Sequence, residues 1–178
     1  MQETEIDVRG EFERLAEAFE AFESLRTEGE AACKARNQGV SGWSVEQHLF
    51  HIALATDLAF QHVRALAAGK GRLIQEEGAL DPRAASVLNS DKTPRGEAQA
   101  PRMVTPDADV DPEFLATELR MNREALEGLR SLEDAITAAS GWIPHQVLGP
   151  LAAPHWLRFA ALHARHHWAI IRDIRSAR

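Results

Sequence analysis

Residues 154–176 read PHWLRFAALHARHHWAIIRDIRS. At about 100° per residue, Trp156, Phe159, Ile170 and Ile174 fall within about 40° of His163 on a helical wheel, so this stretch is a helix whose apolar side a protein core would cover. Pro154 suits the first turn, where no backbone N–H is needed. Upstream, Gly141, Pro144, Gly149 and Pro150 forbid a continuous helix. Before them Leu115, Leu119, Leu126 and Leu129 form a stripe behind Pro112, broken only by Asn122, and predict another helix. Ser44 followed by Gln47 has the form of a capping box, which opens a helix over about 44–68 that Gly69 and Gly71 stop. Phe12, Leu15, Phe19, Phe22 and Leu25 recur at steps of three and four and predict a first helix over about 5–28, with Glu11, Glu13, Glu17, Glu20 and Glu23 read as its solvated face.

Four long helices result. The interval from Gly69 to Asp111 carries Pro82, Pro94, Pro101 and Pro106, exceeds ordinary connections within a bundle, and is read as a crossover with one short helix around Asp81–Asn89. Tyrosine is absent and no segment alternates apolar and polar residues over a useful length, so the strand signal is weak. The expectation is an all-α fold, a four-helix bundle with long crossover connections, in a single domain over residues 1–178.

Composition narrows the function. The 178 residues carry 20 Lys and Arg against 27 Asp and Glu, a net charge of −7, which offers no general attraction for phosphate backbones or anionic lipid. Neither nucleic acid nor a membrane is an expected partner; a small-molecule substrate is. No stretch approaches the roughly 18 apolar residues of a membrane span, and the opening MQETEIDVRGEFE contains no basic leader or apolar run. Cys33 is the only cysteine, which excludes an intrachain disulfide and a Cys-only metal cage and suits a reducing cytoplasm. It stands in a polar stretch without an adjacent histidine, a poor setting for a nucleophile.

Eight histidines, at 48, 51, 62, 145, 155, 163, 166 and 167, carry the chemistry. His167 lies about 40° around and about 6 Å along from His163, so both rings project from the buried side, whereas His166 falls about 60° to the other side. In the second helix His51 shares a face with Ala55, Leu58 and His62, and His48 lies about 60° away. His62 stands roughly 16 Å beyond His51 along the axis, so one ion takes one of them, with His51 the better placed. Three inward imidazoles without partners would each cost on the order of 1–3 kcal/mol, a cost that a divalent cation removes. Three protein ligands leave a position for water or a thiol. The remaining histidines, His48, His62, His155 and His166, are read as surface or hydrogen-bonded residues, and Asn122 as a partner behind a metal ligand or a hydrogen-bonded boundary residue.

The segments WSVEQHLFHIALATD and WLRFAALHARHHWAIIRDI resemble the DinB-like (DinB/YfiT-like) metal-binding helical bundles, most of all a subgroup of uncharacterised function, and TPRGEAQAPRMVTP looks like that subgroup too. The likeness runs from about Trp43 to Asp173. It implies a divalent metal, Zn or Ni, on His51, His163 and His167. A segment like HPxFGPL precedes the last helix in such relatives; here it reads His145-Gln-Val-Leu-Gly-Pro-Leu151, with Gln146 in place of the proline and Leu148 in place of a frequent aromatic, which leaves His145 without an assigned role. The resemblance further implies a metal-dependent transferase or hydrolase that activates water or a low-molecular-weight thiol, and a homodimer. The alternative is a non-catalytic bundle that metal stabilises for binding a small molecule or partner, which a fourth protein ligand such as His48, His145 or a glutamate would favour.

Overall fold

The computed structural model describes residues 5–90, 95 and 99–176. Its long helices are α1 (Val8–Arg26), α3 (Val45–Ala68), α5 (Pro112–Arg130) and α7 (Ala153–Ser176), joined by the short helices α2 (Glu30–Cys33), α4 (Pro82–Asn89) and α6 (Glu133–Ala138). Local chemistry sets their ends. Asp7 caps α1 by accepting from Gly10 N at 2.9 Å, and Asp111 caps α5 ahead of Pro112. Ser44 and Gln47 make both bonds of the capping box, and α3 stops at Gly69, whose φ of 60° a side-chain-bearing residue adopts only with strain.

The apolar stripes meet in one core. α3 packs against α7 and α5, and α1 packs against the same two, which closes a ring of four helices. Phe12, Leu15, Phe22, Leu49, Ile52, Phe60, Leu126 and Leu129 are all but completely buried within it. His51 meets His163 and His167, whereas His62, further along α3, meets Trp156, earlier in α7, so the two helices run antiparallel. The fold is therefore the all-α bundle that the periodicity predicts, with the expected short helix at α4. Among the described residues no helix is long and apolar enough to cross a membrane. In the crossover, the predicted loop positions Pro94 and Gly96 lie outside the described residues.

Two expectations need correction. The break before α7 is a small antiparallel hairpin, β1 (Ile143–His145) and β2 (Gly149–Leu151), with Ile143 opposite Leu151 and His145 opposite Gly149. Strands of three residues, each with a proline at its centre, are too short to show alternation. Trp142 and Gln75 exchange backbone bonds of 2.8 and 2.9 Å, tying the start of the hairpin to the start of the crossover. Glu11 is not on the solvated face of α1: it is 3% exposed and pairs with Arg158 of α7 at 3.0 Å and Arg14 at 2.8 Å. Arg158 also donates to Leu88 O of α4 at 3.1 Å, so one guanidinium holds three helices together.

Candidate metal centre

The first turns of α3 and the middle of α7 face each other, and their histidines converge. His51 Nε2 lies 3.1 Å from His163 Nε2, which lies 3.2 Å from His167 Nε2. One ring nitrogen from each of His51, His163 and His167 falls within 4.8 Å of the others, a group that could hold a metal ion. Among the described residues no fourth His, Cys, Asp or Glu joins it. His51 and His167 are buried, while His163 keeps a partly exposed edge. His166 stays outside the group, its ring edge-on to His167 at 5.0 Å, as its position on the wheel predicts.

Hydrogen bonds behind the rings decide which nitrogens are free. His51 Nδ1 donates to Val104 O at 2.7 Å, from a turn of 3-10 helix (Arg102–Val104) in the crossover, so the neutral ring presents an unprotonated Nε2. His167 Nδ1 lies 2.9 Å from His48 Nδ1, and His48 Nε2 lies 2.9 Å from Ser41 Oγ, which also accepts from Trp43 N at 3.1 Å. Only one arrangement of protons leaves His167 Nε2 as a lone pair: His167 Nδ1–H donates to His48, and His48 Nε2–H donates to Ser41. The Trp43 indole covers this side, 5.1 Å from the His51 ring and stacked at 20° on that of His167.

Electrostatics agree with neutral rings. Burial, then the neighbouring histidines, pushes His163 and His167 well below the usual imidazole range. Burial also lowers His51, against the opposing pull of its bond to Val104, and brings His48 down to about 4. The rings therefore stay neutral at pH 7, the form that ligates a cation. Tetrahedral nitrogen ligands at 2.0–2.1 Å from a metal sit about 3.3 Å apart, close to the 3.1 and 3.2 Å that separate His163 Nε2 from His51 Nε2 and His167 Nε2. The donor set could hold a divalent metal ion.

Of the other histidines, read as surface or hydrogen-bonded, His48 and His155 are hydrogen-bonded. His48 is 2% exposed and serves the cluster from behind rather than lying at the surface. His155 is buried and accepts from Ala152 N at 3.3 Å, and half-buried His62 packs edge-on against Trp156 at 4.6 Å. Asn122 donates to Ala53 O of α3 at 2.9 Å and so fixes that helix rather than a ring. Cys33 is buried and free, and burial raises its thiol, a poor state for a nucleophile.

The model of the DinB superfamily matches residues 9–171. The chain belongs to the DinB superfamily. Comparison with curated proteins and with solved structures finds no match. In this DinB-superfamily chain the two histidine segments singled out by their spacing form one cluster, and the matched span contains every residue of that cluster and of the hydrogen bonds behind it.

Proposed function

We propose that this protein is a metal-dependent enzyme in which His51, His163 and His167 hold a divalent ion, Zn or Ni, and a thiol or water takes an open position beside it, in a transferase or hydrolase reaction on a small molecule. The observation that carries this reading is the convergence of three neutral ring nitrogens at 3.1 and 3.2 Å with no fourth donor among the described residues. Structural sites are commonly closed by four protein ligands, so a set of three favours chemistry over a purely stabilising role. When bound, the ion supplies acidification of water or a thiol near neutral pH. Val104 and His48 orient the ligand rings, Trp43 excludes water from one side, and the partly exposed edge of His163 leaves a way in. A cytoplasmic setting accords with the lone free cysteine, and a homodimer is compatible with the same reading.

The test uses protein loaded with Co²⁺. Addition of propanethiol is expected to produce a sulfur-to-cobalt charge-transfer absorption that saturates at one thiol per chain. Cobalt that binds but never takes a thiol or exchangeable water would remove the catalytic reading. A companion experiment isolates the hydrogen-bond relay: His48→Leu is expected to weaken Zn²⁺ affinity about 10–100-fold, as loss of a residue orienting a ligand commonly does. His48→Asn, whose Oδ1 can accept from His167 in place of Nδ1, is expected to recover most of that loss in the same competition titration with a chelating indicator. Equal affinity in the leucine variant and the native chain would show that the relay does nothing for the ion.

A further inference from the structure

The hairpin places an imidazole beside this site that the proposed function does not use. His145 closes β1, and its Nδ1 accepts from Val147 N at 3.1 Å and Leu148 N at 3.2 Å. An atom that accepts two N–H bonds carries no proton, so the neutral ring holds its hydrogen on Nε2. Among the described residues nothing accepts that hydrogen. Its position is fixed from two directions: Gly149, at a φ of 72°, turns the chain back into β2, and Trp156 Nε1 donates to Ile143 O at 3.2 Å, fastening the hairpin to α7.

From the ring of His145 a row of aromatic contacts leads to the cluster. His145 meets Phe159 edge-on with centroids 4.5 Å apart, and Phe159 stacks on His163 at 5.4 Å and 21°. His145, Phe159, His163 and His62 are each partly exposed, so the row is not sealed inside the core. Trp156 underlies its far end, 5.3 Å from His145 and 4.6 Å from His62. His62 has no hydrogen-bond partner among the described residues. Burial, with His62 as a lesser influence, brings His145 down to about 4, and charge on His145 in turn disfavours charge on His163, which is consistent with short separations along the row.

We infer that His145 is a substrate-binding residue, whose Nε2–H donates to a carboxylate or carbonyl oxygen of a small molecule that reaches the metal with its other end across the face of Phe159. This deepens the proposed function and rests on it. The recognised class is a compact molecule with a nucleophilic or metal-seeking group at one end, an apolar middle and an acceptor oxygen at the other. A neutral donor suits that oxygen because it needs no buried charge of its own, and a hydrogen bond to a charged acceptor is stronger than one between neutral groups.

The experiment titrates the Co²⁺-loaded protein with mercaptoacetate, mercaptopropionate, mercaptobutyrate and mercaptopentanoate, each beside the alkanethiol of the same chain length, and follows the charge-transfer absorption. At least one of the acids is expected to bind about ten-fold more tightly than its alkanethiol. His145→Asn separates the two roles of this side chain: its Oδ1 can still accept from the turn, but no N–H remains at the Nε2 position. That variant is expected to keep its circular dichroism, cobalt content and alkanethiol affinity and to lose the preference for the acid. A preference that survives in His145→Asn, or one that is absent from the native protein for every length, overturns the assignment of His145 and leaves the metal reading standing. Failure of both series to bind the cobalt-loaded protein overturns this inference, and cobalt that also holds no exchangeable water removes the catalytic reading with it.

Discussion

Replacement of His163 by alanine is expected to lower the affinity for Zn²⁺ or Ni²⁺ by more than 100-fold. His163 Nε2 is the middle donor, within 3.2 Å of both other ring nitrogens, and its removal leaves only two ligands. The effect should therefore exceed the 10–100-fold loss typical of residues that merely orient a ligand. Linkage supplies a readout independent of activity. A ligand at about 1,000 times its dissociation constant stabilises the folded state by about 4.1 kcal/mol, and a 100-fold weaker one at the same concentration by only about 1.4 kcal/mol. The native protein is thus expected to gain substantially in melting temperature on addition of metal, and the variant much less. An undiminished gain in His163→Ala would mean that the stabilising ion binds elsewhere.

The second large effect lies away from the cluster. Arg158→Leu is expected to destabilise the fold by roughly 3–5 kcal/mol, the usual consequence of leaving one member of a buried ion pair behind. Glu11 would retain only Arg14, whose side chain is 49% exposed, and Glu11 Oε2 already has no hydrogen-bond partner among the described residues. Even with Arg158 present, burial outweighs the attraction of the two arginines and raises the Glu11 carboxyl above its ordinary range, so the site tolerates a lone carboxylate poorly. For a chain of this size the loss corresponds to a fall of roughly 6–20 °C in melting temperature. The double variant Glu11→Leu with Arg158→Leu is expected to recover much of it, because removing both charges is far less costly than removing one. Thermal melts of the two variants decide the matter: an Arg158→Leu protein that melts with the native one would show that the pair contributes little.

Much of the bundle is legible because its signals are local. The Ser44–Gln47 box, Gly69, and Pro112 behind Asp111 mark helix ends by chemistry within one turn, and the stripes through Phe12 and Leu115 name the buried sides directly. The wheel also brings out His51, His163 and His167, since all three lie on stripes that the core covers. It fails at His48 for a definite reason. A wheel describes what neighbouring helices bury, and His48 is enclosed by the loop through Ser41 and Trp43 before α3. Glu11 is misread because its partner stands 147 residues away on α7 in a stretch otherwise noted for histidines. His145 acquires its setting only when the hairpin folds back against Trp156 and Phe159, a contact no period in the sequence announces.

Two of the three clustered rings reside on α7, while the third waits on α3 more than a hundred positions earlier. Synthesis proceeds from the amino terminus, so a nascent chain that has made everything through β2 still owns one imidazole of the set. The three-donor set proposed to hold an ion is therefore complete only once the final helix docks.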